Sequence, residues 1–283
     1  MQKIIDPHLH FFNLDIGQYN WLKSENPPYW DDKGIIQKNF SEKDLMLGPH
    51  LNLESFVHVE AGFSNEQPSK EIEWLEKVIS KPFKSIATCN LQQNHKLFNK
   101  NIEELKRFQS FIGVRDIIDQ NGHKLLPNQE AMRNFEILNE NKLIFELQID
   151  KLSNTNNEFI KEITKAFPNI KFVLNHIGFP AYSHNNFDTM CLLKDLNQCE
   201  NLYIKASGWE MMNRNYELIF VENIMSALIN HFDTNKIMLA SNFPLNLFKG
   251  SYEELWDNYF HILNDEQLTH KLTYQNAKNI YNI

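Results

Sequence analysis

The run Ile4-Ile5-Asp6-Pro7-His8-Leu9-His10-Phe11-Phe12 ends a short apolar stretch with two histidines two residues apart. Side chains alternate faces along a strand, so His8 and His10 share one. Two imidazoles on one face can hold a divalent ion or polarise a carbonyl. The plain alternative is a polar N-terminal loop, because His-x-His is unspecific by itself. Groups of similar chemistry recur downstream, each beside an apolar run: His58 and Glu60, Arg115-Asp116, Glu146, His176, Lys205 and Ser241-Asn242.

Each of these also has a structural reading. His176 before Ile177-Gly178 fits a histidine satisfied by loop backbone. Arg115-Asp116 fits a surface ion pair, which is worth little. His58 fits packing outside the strands. Glu146 and Lys205 resist such readings, because each sits in an apolar run. A buried carboxylate needs a partner, and a buried lysine pairs or shifts its pKa. So many strand ends bearing charge or imidazole point jointly to one site.

The elements that would position them are short apolar runs at 3–6, 54–59, 85–90, 111–114, 143–149, 171–175, 202–205 and 236–240. Nearly continuous apolar strands are those covered on both faces. Between them, amphipathic patterns predict helices at 69–80, 128–141, 154–167, 216–232, 252–263 and 266–272. Eight strands alternating with helices predict an α/β fold, a (β/α)8 TIM barrel, with the polar residues at its carboxyl mouth. The chain of 283 residues suits one such domain, 1–283. The stretch 13–49 is long, aromatic and proline-containing. It reads as a cover over the mouth, with a helix near 41–47.

Composition excludes several classes. Lys+Arg number 28 and Asp+Glu 36, giving a net charge of −8. That offers no footprint for nucleic acid or an anionic membrane. Cys89, Cys191 and Cys199 have no metal-ligand spacing, and sparse free thiols suit a cytoplasmic location. The chain begins almost at once on a strand-like run, with no room for a signal peptide, and no apolar stretch approaches membrane-spanning length. The expected partner is a small-molecule substrate; a homodimer is left open.

With these segments in place, the chain resembles the amidohydrolase-2 branch of the metal-dependent TIM-barrel hydrolase superfamily, and within it the sugar-lactone and muconolactone-type lactonases. The resemblance rests on the opening stretch, Tyr19-Asn20-Trp21-Leu22, Val57-His58-Val59-Glu60-Ala61, Gly113-Val114-Arg115-Asp116, Phe172-Val173-Leu174-Asn175-His176-Ile177-Gly178, Lys205-Ala206-Ser207-Gly208, Ser241-Asn242-Phe243-Pro244 and Asn276-Ala277-Lys278-Asn279-Ile280-Tyr281, in the family's order. It implies that His8, His10 and His176 could bind one divalent ion, zinc foremost, or act without one. It implies opening of a small lactone by water. Three positions depart from the family pattern. Asn242 stands where an Asp is usual, Asp116 where many relatives have His, and Glu60 where many have Gln. An amide cannot take up a proton and is a weaker ligand, so Asp116 and Glu60 are the candidate bases. Arg115, Lys205 and Glu146 would contact substrate. Trp21, Tyr19 and Trp209 either stack on its ring or pack the long loop. The rival reading is a barrel that binds a small polar or anionic molecule without turnover, which Asn242 favours; decarboxylation ranks below both.

Overall fold

A computed structural model describes residues 1–149, 152–182 and 187–283. Eight parallel strands follow one another in the sheet in chain order. They are β1 (Gln2–Leu9), β2 (Leu51–Val59), β3 (Phe83–Thr88), β4 (Phe111–Ile117), β5 (Ile144–Gln148), β6 (Lys171–Leu174), β7 (Leu202–Ala206) and β8 (Ile237–Leu239). The ring closes between β8 and β1 at their carboxyl ends. There the Asn242 amide donates to the His8 carbonyl at 2.9 Å, and the His10 amide donates to the Phe243 carbonyl at 2.7 Å. The fold is the expected (β/α)8 barrel.

Register explains the interior. Ile5, Val57, Val59, Ile86, Ile144, Val173 and Met238 form one apolar cluster inside the ring. The C-terminal helix Asn276–Tyr281 plugs its amino end with Ala277, Ile280 and Tyr281. Arg115 pairs with Glu146 across β4 and β5, two residues beyond the pair Gly113–Ile144 on the same face. The inward face therefore turns from apolar to charged on approaching the mouth. His58 alternates with Val57 and Val59 and lies on the outer face, buried, with its ring 5.9 Å from that of Phe11.

The helices close as their caps dictate. Asn128, Ser153 and Ser251 each accept a first-turn amide, starting Gln129–Glu140, Asn154–Ala166 and Tyr252–Ile262. The expected helix near 41–47 is only a three-residue turn, Glu42–Asp44. Gly48 and Pro49 leave it no room to propagate, and the Glu42 carboxylate instead accepts the Lys81 amide at 3.1 Å. Among the described residues, the helices His95–Leu105, Gly122–Leu125, Phe187–Leu196, Trp209–Met212 and Asn276–Tyr281 escaped the sequence reading. The segment 13–49 is knit around the Lys33 ammonium, which donates to the carbonyls of Trp21, Lys23 and Asn26 at 3.0, 3.0 and 2.8 Å.

Candidate active site at the carboxyl ends of the strands

A cavity of about 1020 Å³ opens at the barrel mouth. Among the residues that wall it are His10, Glu60, Arg115, Asp116, His176 and Asn242 from five strand ends, with Trp21 and Trp30 from the long loop. Trp21 is held by its indole N–H, 2.7 Å from the Ala61 carbonyl. The neutral amides Asn65, Asn90, Gln92, Gln93, Asn101 and Gln148 line it too.

The three imidazoles converge. The His8 ring lies 5.0 Å from that of His10 and 4.7 Å from that of His176. Burial lowers the pKa of each well below the ordinary histidine value; Lys205 pushes His8 the same way, as Arg115 does His10 and His176. All three are therefore neutral at pH 7. The Val59 carbonyl, 2.8 Å from His10 Nδ1, can only accept, so that nitrogen carries the proton and His10 Nε2 keeps a lone pair. His176 follows β6 in a left-handed turn with Ile177, at φ of 54° and 57°. Its Nδ1 meets Ser207 Oγ at 2.9 Å.

Beneath this floor lies a fully buried charged group. Lys205 Nζ stands 2.5 Å from Glu146 Oε1 and 3.3 Å from His8 Nδ1. The Tyr281 hydroxyl donates to the same Glu146 oxygen at 2.8 Å. Burial lowers the Lys205 pKa to about 8, against the pull of Glu146. The expectation that Lys205 and Glu146 touch substrate is corrected: neither reaches the cavity wall, and each meets its need for a partner in the other.

The remaining expected residues divide. Glu60 does not stand free as a base. Arg115 holds its Oε1 through Nε at 2.8 Å and Nη2 at 2.5 Å, and reaches Gln148 Oε1 through Nη1 at 3.0 Å. Asp116 accepts the Leu91 amide at 2.8 Å, and burial raises its pKa to about 6. Trp209 and Tyr19 are corrections. Trp209 is fully buried and donates to the Tyr259 hydroxyl at 2.7 Å. Tyr19 packs on Phe12 and Phe63, its hydroxyl accepting the Asn13 amide at 3.0 Å. Tyr19 thus packs the start of the long loop, whereas Trp209 packs in the core against Tyr259 and Phe220, away from that loop.

Sequence reasoning stopped at Trp209 and missed its neighbour. Glu210 is buried, and its carboxyl lies 2.5 Å from the side-chain amide of Asn242. Burial raises its pKa to about 7. Tyr281 was noticed in a motif, but nothing in its spacing tied it to Glu146.

The donor set does not suit a divalent ion. A lysine ammonium already faces His8 Nδ1, and the β8 corner offers a neutral amide engaged with Glu210. Among the described residues, no group of three or more His, Cys, Asp or Glu side chains is arranged to hold an ion.

Comparison with known proteins places this geometry. A family model described as amidohydrolase matches residues 5–283. An uncharacterized protein, y4mH, of Sinorhizobium fredii (strain NBRC 101917 / NGR234) is 27% identical over 271 residues, 90% of either chain. A solved amidohydrolase from Burkholderia multivorans with bound zinc shares the fold at a TM-score of 0.80 and 17% identity, over 99% of each chain. A probable 2-pyrone-4,6-dicarboxylic acid hydrolase from Acinetobacter baumannii does so at 0.70 and 18%, again over 99% of each. A 2,6-dihydroxybenzoate decarboxylase from Rhizobium matches at 0.64 and 13%, over 100% of this chain and 99% of the other. At these identities the solved structures establish the fold alone.

Proposed function

The chain belongs to the amidohydrolase family, and from that premise we propose that it is a hydrolase that opens a small lactone by attack of water on the ester carbonyl. The observation that carries this reading is the meeting of His10, His176, Arg115 and Asp116 on the wall of one cavity. Lactone opening requires an activated water and stabilisation of a tetrahedral oxyanion. His10 Nε2, with its lone pair, can orient the water. Asp116 takes its proton: a carboxylate titrating near 6 is ionised at pH 7 yet basic enough for the task. The water oxygen bonds to the carbonyl carbon, the ring C–O bond breaks, and the proton passes to the leaving oxygen. Arg115 fixes the wall through Glu60 and Gln148, and the surrounding amides suit hydroxyl groups on the ring. The acid it would form is small and polar, in keeping with a sugar-acid or muconolactone-like substrate.

One observation favours the rival reading of a barrel that binds without turnover: the β8 corner carries an amide, which cannot accept a proton. A panel of aldonolactones, unsaturated lactones and aryl esters separates the two, with acid release and carbon dioxide release both followed. Lactone turnover that falls by about 10²–10⁴ in Asp116→Asn supports hydrolysis. Ligand-induced thermal stabilisation without product supports the rival, and carbon dioxide release from an aromatic acid would replace both.

A further inference from the structure

We propose that Lys205 is a positioning residue that fixes the tautomer of His8, placing its proton on Nε2 and closing this histidine to a metal ion. The inference stands on geometry, apart from the lactone-opening reading. An ammonium group has only protons to offer. Lys205 Nζ is held on its other side by Glu146 Oε1, and that oxygen is itself fixed by the Tyr281 hydroxyl. The group facing it at 3.3 Å is His8 Nδ1, which accepts from it; Glu146 Oε2, the other group near this nitrogen, is 3.8 Å away and beyond hydrogen-bond reach. A neutral imidazole that accepts at Nδ1 carries its proton on Nε2. His8 Nε2 is buried and has no hydrogen-bond partner. That ring is fully buried behind the cavity wall, packed against those of His10 and His176, which line it.

The two histidines of β1 are thus set in opposite senses. The Val59 carbonyl makes His10 an acceptor at Nε2, and Lys205 makes His8 a donor at Nε2. A divalent ion needs lone pairs from both, and His8 Nε2 in this tautomer has none to give.

The test is ¹⁵N–¹H long-range correlation on the full chain labelled with ¹⁵N-histidine, near pH 7 and without substrate, with His8 assigned by its loss in His8→Gln. The expected result is a protonated Nε2 and a bare Nδ1 on His8. Lys205→Met should abolish that preference, while Tyr281→Phe, which keeps the ammonium, should preserve it. Zinc titration read by elemental analysis should give well under one ion per chain for the wild type and more for Lys205→Met. Protonated Nδ1 on wild-type His8 overturns the proposal, as does one zinc per wild-type chain that disappears in His8→Gln. Should Lys205→Met fail to fold, the wild-type tautomer and zinc stoichiometry still decide. The tautomer is read without substrate, so a panel of inert lactones would overturn the functional reading and leave this result standing.

Discussion

Asn242 gives its side-chain amide to the carboxyl of Glu210, a residue 32 positions earlier in the chain, at 2.5 Å. The acid missing from the end of β8 thus has a counterpart directly behind the amide that replaces it. Restoring an acid there would press two buried carboxyl groups together, and one must keep its proton. Asn242→Asp is therefore expected to cost about 1–3 kcal/mol at pH 8 and much less at pH 5. Urea unfolding at both pH values checks this. Adding Glu210→Gln should recover most of the loss, and equal losses at both pH values would refute it.

Glu210 itself makes stability depend on pH. Its pKa rises from an ordinary 4.5 to about 7 on folding, chiefly through burial. A group raised in this way stabilises the fold fully below its unfolded pKa, and that contribution is lost as pH climbs through the folded value. Wild-type stability should therefore fall between about pH 4.5 and 7 on this account, by at most about 3 kcal/mol. Glu210→Gln should flatten that decline. The check is the difference between the two unfolding free energies across pH 5 to 8; a constant difference rejects the idea.

Gly208 guards the placement of His176. It stands at φ +72°, and a Cβ there would lie 2.6 Å from His176 Nδ1. Gly208→Ala combines backbone strain with displacement of a cavity-wall imidazole, and should cost about 1–3 kcal/mol. Turnover should suffer more than binding. Gly34→Ala is the control, because no atom lies within 4 Å of its added Cβ. Thermal unfolding and steady-state kinetics on both variants provide the comparison.

Arg214 ties the long loop to the site. Its Nε reaches Asp32 at 2.8 Å, its guanidinium lies 3.9 Å from the Phe248 ring centre and 5.0 Å from that of Trp30, and Nη1 donates to the Glu210 carbonyl at 2.6 Å. Arg214→Ala should free Trp30 from the cavity wall and raise KM several-fold with a smaller effect on kcat. Limited proteolysis should cut within 13–49 faster than in the wild type. Unchanged cleavage and KM would show that the loop holds itself, through Lys33.

The barrel was legible because parallel strands covered on both faces leave continuous apolar runs, as in Phe172-Val173-Leu174. The helix His95–Leu105 was legible too, since Phe98, Ile102 and Leu105 stand at the i, i+4, i+7 spacing of one buried face behind the Asn94 cap, but it was passed over. The histidines stood out as strand-end residues, and His8 and His10 could be placed on one face by alternation. Their tautomers could not, since these depend on Val59 and Lys205, 49 and 197 positions away. Buried Glu146 and Lys205 demanded partners, yet no spacing rule shows that they partner each other. Trp209 and Tyr19 show the limit of residue type: an aromatic side chain near a strand end fits a cavity wall or a core equally well, and only the backbone decides. Asn242, at φ 58°, turns its amide toward Glu210 through a left-handed step that the sequence does not announce.

The ring of strands is sealed where the chemistry is placed. Between β8 and β1 the bonds are the Asn242 amide to the His8 carbonyl and the His10 amide to the Phe243 carbonyl, with the Ser241 amide on Asp6 at 3.1 Å. This short seam lies under the floor of the cavity. A molecule seated against both His10 and Asn242 would act as a rivet across it. Any tightening of the bound state would then slow the escape of those two amide protons to solvent, and any loosening of the seam would be felt as weaker affinity. Catalytic fit and the mechanical closure of the barrel are in this sense one property.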